Sequence, residues 1–268
     1  MPEVEVRSGV RMAYQEDWFG APWTTPETVV MVHGNSESSR AWAPWVPHLA
    51  GKYRVVRLNL PGFGASPLPA GDYSWSSTEL AGDIGRFIDE LEIKRCHMVA
   101  AKYGGSAAMC LASDQPQRLL SLTLCGSPIR GSGATNAELI VTKGVRAWAA
   151  ETMRSRLGSA ASEAMLTWWT DELMGKTPQR AALGAASARI GMDLEARLPR
   201  INVPTLMLTT VESGLQSVEE VKRFAGLMPN ARVIVLPGDS FHIAAVAPEV
   251  CAQHALRFMA SATGTKPA

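Results

Sequence analysis

The chain has 268 residues, 46% apolar and 19% charged, enough for the core of one large domain or one domain with a modest insertion. A formal net charge of +1 gives no electrostatic basis for binding nucleic acid or an acidic membrane. No basic segment followed by an apolar leader opens the chain and no apolar run reaches spanning length, so a soluble, cytoplasmic protein is expected. Val4 and Val6 alternate with charged residues and Met12 to Tyr14 follow a Ser8-Gly9 turn, which predicts an opening antiparallel pair. Thr28 to Val32 is too apolar to be half exposed and reads as a central strand. Ser38 to Ala50 places Trp42, Trp45 and Leu49 at helical spacing, and Tyr53 to Leu60 is the next strand. A glycine-rich loop, Pro61-Gly62-Phe63-Gly64-Ala65-Ser66, precedes an amphipathic helix over Thr78 to Ile93.

Cys96 to Ala100 and Leu119 to Cys125 are two more apolar strands, after which the alternation of strand and helix stops. From Gly131 to Leu198 the patterns are helical and hold Trp148, Trp168 and Trp169. Strands resume at Thr205 to Thr209 and Arg232 to Leu236, with a helix over Val218 to Met228 between them. A last helix is expected over Pro248 to Met259, followed by a frayed tail from Ser261 to Ala268. Such alternation predicts a mainly parallel, eight-stranded sheet with helices on both faces. The core would comprise 1–130 and 199–268, with 131–198 a helical lid over the carboxyl ends of the strands, where such sheets bind ligands. Cys96, Cys110, Cys125 and Cys251 lack metal-ligand spacing and read as core thiols in a reducing compartment. No metal site and no cofactor is implied.

The strand ending at Ala100-Ala101 runs into Lys102-Tyr103-Gly104-Gly105-Ser106 and a helix of small residues. That is the outline of a nucleophile elbow, Gly-x-Ser-x-Gly, with Ala100 and Gly104 in the glycine slots and Lys102 in the serine slot. Ser106 lies four residues on, inside the helix, and is a poor substitute nucleophile.

In order along the chain, His33-Gly34, Gly62-Phe63-Gly64-Ala65-Ser66, the elbow at Lys102, Val203-Pro204 and Gly238 to His242 before Pro248 resemble the α/β-hydrolase superfamily. The chain is similar to the enol-lactone hydrolases and the meta-cleavage-product (C–C) hydrolases, with the likeness covering nearly everything outside the lid. The resemblance implies a catalytic set in the order nucleophile, acid, histidine. The histidine slot falls on His242, and Glu212, beside the usual acid position at Ser213, is expected to orient it. Backbone N–H groups of Tyr103 and of Asn35 or Ser36 are expected to form an oxyanion hole. Glu37, Trp42, Trp148 and Trp168 are candidate substrate-binding residues, although an exposed position suits Glu37, and the tryptophans serve packing equally well. His33 reads as structural.

A lysine at an elbow sits at the positive end of a helix in a poorly solvated pocket, which lowers its pKa. A partly neutral amine can form a Schiff base with a carbonyl compound, and a charged one can polarise it. Acylation by an ester would leave a stable amide, so a serine-like cycle is disfavoured. The expectation is a hydrolase of a small apolar or aromatic carbonyl compound, cleaving C–C next to a ketone or an ester or lactone bond. The rival is a non-catalytic small-molecule receptor on the same fold. A homodimer is compatible with this composition.

Overall fold

A computed structural model describes residues 1–131 and 134–264. Eight strands form one sheet in the order β1-β2-β4-β3-β5-β6-β7-β8. They are β1 Glu3–Arg7, β2 Val10–Asp17, β3 Thr28–Val32, β4 Arg54–Leu58, β5 Cys96–Ala101, β6 Leu119–Cys125, β7 Thr205–Thr210 and β8 Ala231–Leu236. β1 pairs antiparallel with β2, and β2 antiparallel with β4; every pairing from β4 through β8 is parallel. The expected mainly parallel eight-stranded sheet is therefore what forms. Its central strands are buried along their whole length, since helices cover both faces and leave no polar side for alternation.

One layer of the core packs Leu80, Ile84, Phe87 and Ile88 of helix Ser77–Glu90 against β3, β4 and β5. The other packs Trp42, Trp45 and Leu49 with Cys251, Ala255 and Met259 of helix Pro248–Thr263 on the opposite face. Helix Ser77–Glu90 starts where the Ser76 hydroxyl accepts the N–H of Glu79 at 3.1 Å. The helix expected over Ser38 to Ala50 is instead a 3₁₀ segment, Ser39–Trp45, followed by a single α turn, Val46–Leu49. Pro44 and Pro47 lack the amide protons a continuous α-helix needs there. The last helix runs to Thr263, beyond the Met259 expected; residues 265–268 of the proposed frayed tail lie outside the described residues.

Between β6 and β7 the described residues form helices over Ala134–Lys143, Val145–Leu157, Glu163–Thr167 and Gln179–Ser187, a π-helical stretch at Trp168–Leu173 and short 3₁₀ turns. This segment has its own apolar cluster, built on Ile140, Trp148, Met153, Leu157, Trp169 and Leu173. All four cysteines are buried and free.

Candidate active site

The elbow is present at the junction of β5 with helix Lys102–Asp114. Lys102 has φ +50°, a left-handed conformation that non-glycine residues rarely adopt, at a cost of about 1–2 kcal/mol. The helix that follows presses hard on the sheet. A Cβ on Gly104 would lie 2.2 Å from the carbonyl oxygen of His33, and one on Gly105 only 1.8 Å from the Ser127 hydroxyl. Glycine at both positions lets the helix approach closely enough to aim residue 102 into the space above the sheet. His33 is structural, as expected: its Nε2 accepts the Leu60 N–H at 3.0 Å, and its Nδ1 contacts the Gly34 carbonyl at 2.7 Å. Ser106 is fully buried inside the helix packing and donates to the Pro128 carbonyl at 2.7 Å.

The Lys102 side chain is buried, with its ammonium nitrogen 3.0 Å from Nδ1 of His242 and in direct contact with the Glu37 carboxylate. Oε1 of Glu37 also lies 3.9 Å from His242 Nδ1. Glu37 is thus not the exposed loop residue that suited the sequence: it is 3% accessible, and its Oε2 accepts the Gly34 N–H at 3.1 Å. The reason is local. The turn at Gly34 to Glu37, with Ser36 at φ +58°, folds the carboxylate back over the end of β3 and beside the lysine.

His242 is held from both sides. Its backbone N–H donates to the Ser240 hydroxyl at 3.0 Å, and that hydroxyl donates to the Arg156 carbonyl at 2.9 Å. The ring packs edge-on to Trp169 and Phe241, with centroids at 5.3 and 5.1 Å. Burial pushes its pKa well below the usual histidine value, with Lys102 and Arg156 acting in the same direction, so the ring is neutral at neutral pH. Burial also lowers the Lys102 pKa; Glu37 opposes that shift. With Lys102 as ammonium, Nδ1 of the neutral ring is the acceptor and Nε2 carries the proton. Nε2 is buried and has no hydrogen-bond partner among the described residues.

Glu212 does not reach His242. The N–H groups of Val211 and Glu212 bond to the carbonyls of Leu236 and Gly238, which pins the turn flat across the end of β8 and leaves the Glu212 side chain exposed. Among the described residues no hydrogen bond or ion pair joins its carboxylate to the ring. The carboxylate beside the imidazole and amine is Glu37.

A small pocket with ≈ 20 Å³ of free space lies over these groups, lined by Lys102, Glu37, His242, Asn35 and Tyr103 of the core. Asn35 and Tyr103 of the expected oxyanion hole are thus brought together. Tyr103 is the second residue of its helix, where helical geometry supplies no acceptor for the N–H. Ser36 is buried beside them and donates to the Asn35 side chain at 3.2 Å, without lining the pocket.

The three tryptophans singled out by sequence are not pocket walls. Trp42 packs edge-on to Trp45 in the core, Trp148 donates its indole N–H to Asn136 at 2.9 Å, and Trp168 lies under the Arg40 guanidinium. Trp169, which does not line the pocket either, packs directly on the site, with its ring 5.3 Å from the Lys102 nitrogen. Sequence reasoning also missed Arg156 and Arg189, two pocket-lining residues from the segment between β6 and β7. The described residues include no His/Cys/Asp/Glu group that could hold a metal. No helix among them is long and apolar enough to cross a membrane.

With this geometry in view, comparison with known proteins decides the lineage. Residues 27–216 match the family model for the alpha/beta hydrolase fold. The chain belongs to that family. An enol-lactonase from Burkholderia xenovorans LB400 has the same fold, with a TM-score of 0.86 over 96% of this chain and 99% of that one at 21% identity. Over 130 residues the chain is 38% identical to the dihydrolipoyllysine-residue acetyltransferase component of the acetoin cleaving system of Cupriavidus necator. Over 125 residues it is 31% identical to 2-hydroxymuconate semialdehyde hydrolase of Pseudomonas sp. strain CF600. These two matches take in 48% and 46% of this α/β-hydrolase-fold chain, and they span only 32% and 42% of the respective relatives.

Proposed function

We propose that this α/β-hydrolase-fold protein is an enzyme that hydrolyses a small carbonyl compound, with Lys102 in the place of the usual serine. The leading reaction is cleavage of the C–C bond between two carbonyl groups. The observation that carries the reading is the buried triad itself: an amine at the elbow, within 3.0 Å of a neutral imidazole and in contact with a carboxylate. The names of the relatives, a hydrolase of a semialdehyde and a lactonase, support hydrolysis of carbonyl compounds as the reaction class.

The steps follow from where the protons can go. His242 Nδ1 accepts a proton from the Lys102 ammonium, with Glu37 holding the charge of the pair. The freed lone pair adds to a substrate carbonyl carbon, and the carbonyl oxygen leaves as water after taking two protons, one from the nitrogen and one from the imidazolium. The product is an iminium ion on Lys102. His242 then deprotonates a water molecule, whose oxygen adds to the second carbonyl while backbone N–H groups near Asn35 and Tyr103 hold the developing oxyanion. The C–C bond breaks, its electrons passing into the iminium to give an enamine, and the acid fragment departs. Protonation of the enamine and hydrolysis of the resulting iminium release a ketone and restore the amine. In sum, one dicarbonyl and one water give one ketone and one carboxylic acid.

A second reading rests on the Glu37 contact: a permanently charged Lys102 polarises the carbonyl of an ester or lactone while His242 activates water. In both readings the helices over 134–187 act as a lid that dries the pocket, and the compartment is cytoplasmic. Borohydride treatment during turnover of pentane-2,4-dione separates the two. A reduced adduct on Lys102, absent in Lys102→Met, supports the imine. Turnover that survives Lys102→Arg without an adduct supports the cation. Binding without product, unchanged in His242→Ala, across β-diketones, lactones and aryl esters refutes an enzyme and leaves a receptor.

A further inference from the structure

The pocket over the elbow is shut. Its free space of ≈ 20 Å³ holds about one water molecule, so no carbonyl compound reaches Lys102 until a wall moves. Much of that wall is tied to the sheet: Lys102 and Tyr103 open the elbow helix, Glu37 is folded over the end of β3, and His242 follows β8. What comes from the segment between β6 and β7 is Arg189 and Arg156, the latter in the last turn of helix Val145–Leu157.

Arg156 is also what His242 hangs from. Its side chain lines the pocket while its carbonyl accepts the Ser240 hydroxyl at 2.9 Å and the His242 N–H at 3.2 Å. Three residues on, the Ser159 N–H donates to both oxygens of the Asp239 carboxylate, at 3.1 and 3.0 Å. The two chains run so close there that a Cβ on Gly158, at φ +82°, would lie 2.2 Å from Asp239 Oδ1. The core grips the same loop from the other side, by its carbonyls. Gly238 accepts the Glu212 N–H at 3.1 Å, and Ser240 accepts the Thr210 hydroxyl at 2.9 Å. A wall that swings outward at Arg156 therefore takes the acceptor from the Ser240 hydroxyl and from the His242 N–H together.

We infer that Asp239 is a positioning residue for His242: its bonds to Ser159 latch residues 156–159 onto the loop 239–242, and opening the latch to admit a ligand releases the imidazole from its place beside Lys102. The amine and the imidazole are then paired only when the pocket is shut, so an open site does not activate water. Asp239 is half-buried and does not line the pocket, so it acts through the backbone of the loop. The consequence for turnover rests on the proposed function, whereas the hold on His242 rests on these hydrogen bonds alone.

The test reads the imidazole directly, as the rate at which diethylpyrocarbonate modifies His242, located by peptide mass spectrometry with the half-buried His48 and His254 as internal standards. In the wild-type protein His242 is 2% accessible and should be modified far more slowly than either standard. Asp239→Ala should raise its rate about fivefold, the shift in an opening equilibrium when one hydrogen bond is lost, and leave His48 and His254 unchanged. Asp239→Asn, which keeps one acceptor oxygen, should fall between the two. Gly158→Ala should pry the latch from the other side, and should add less in an Asp239→Ala background, where the carboxylate it strikes is gone. Glu163→Ala, which removes a surface ion pair with Arg154 on the same segment, should leave the rate within about twofold. The pocket must close again around a bound ligand, so kcat for pentane-2,4-dione should fall in the order wild type, Asp239→Asn, Asp239→Ala, with KM within about twofold. Unchanged modification of His242 in Asp239→Ala and Gly158→Ala overturns the inference whatever the activity. An equal rise at all three histidines also overturns it, since that is the mark of a loosened fold. Faster modification with wild-type kcat and KM overturns the positioning role. A wild-type protein that turns over no carbonyl compound overturns the proposed function instead, and the modification rates still decide the latch.

Discussion

Removing the carboxylate of Glu37 should harm the fold more than removing the amine it serves. The two side chains are 2% and 11% accessible, so the solvent screening that makes surface pairs nearly worthless is absent here. Glu37→Gln leaves Lys102, Arg156 and Arg189 together with no anion, and breaking one side of a buried pair typically costs about 3–5 kcal/mol. Lys102→Met leaves a carboxylate that still accepts the Gly34 N–H and feels the attraction of Arg156, so a cost of about 1–3 kcal/mol is expected. The double variant has neither orphan and should fall within about 1 kcal/mol of wild type, because a neutral pair of similar volume replaces a buried ion pair at little cost. Urea unfolding of the four proteins gives the cycle, with a coupling of at least about 2 kcal/mol expected. Additive losses, with coupling below about 0.5 kcal/mol, would show that the two groups do not form the pair described and would remove the basis for a proton passing between them.

Acid should weaken the protein through its buried histidines. His33 is fully buried with its pKa lowered to about 4, and His242 is lowered too, so between pH 6.5 and about 4 the unfolded chain binds protons that the folded one refuses. His33 alone then removes about 3 kcal/mol over that window, with full stability above pH 6.5; a flat pH dependence of urea midpoints there would contradict the burial of the ring. Gly104→Ala should cost about 3 kcal/mol or more by driving the elbow helix off the His33 carbonyl, visible as a melting point lowered by several degrees. A normal melting point would mean that the close approach is not needed. Trp169→Ala should change kcat and KM for the trapped ketone substrate, whereas Trp168→Ala, whose ring covers Arg40, should leave both within about twofold. The reverse pattern would return Trp168 to the pocket.

The elements most legible in the sequence are those whose physics is local. Short, wholly apolar runs specify β3, β5, β6 and β7, and the small residues after Lys102 announce a helix that must pack tightly. The site was legible where a strand end fixed a position, as for Lys102 and His242, and illegible where a loop or a phase change did. Trp168 and Trp169 illustrate the second case. The π-helical stretch Trp168–Leu173 inserts an extra residue per turn and rotates the face, so a 3.6-residue period points to the wrong ring. Counting from the end of β7 cannot reveal that two backbone hydrogen bonds turn Glu212 outward, and no pattern in a four-residue loop shows that Glu37 turns inward. Arg156 and Arg189 default to a solvated reading because guanidinium groups are seldom buried without partners.

The exchange of Glu212 for Glu37 has one physical cause, the lysine at the elbow. When a serine occupies that turn, the carboxylate of the set belongs on the far side of the imidazole, where it stabilises the positive ring formed as the hydroxyl loses its proton. An amine reverses the requirement. It is itself the cation, it stands 3.0 Å from the ring, and a ring charged at the same time would face it across that distance. A carboxylate beyond the ring would favour that doubly charged state; one beside the lysine favours ammonium with neutral imidazole. The structure has the second arrangement, with Glu37 against Lys102 and Glu212 turned out to solvent. The acid has moved with the charge it must balance. That is why the glycines, the strand ends and His242 follow the family pattern while the carboxylate does not, and why Lys102 and Glu37 are expected to lose function together rather than separately.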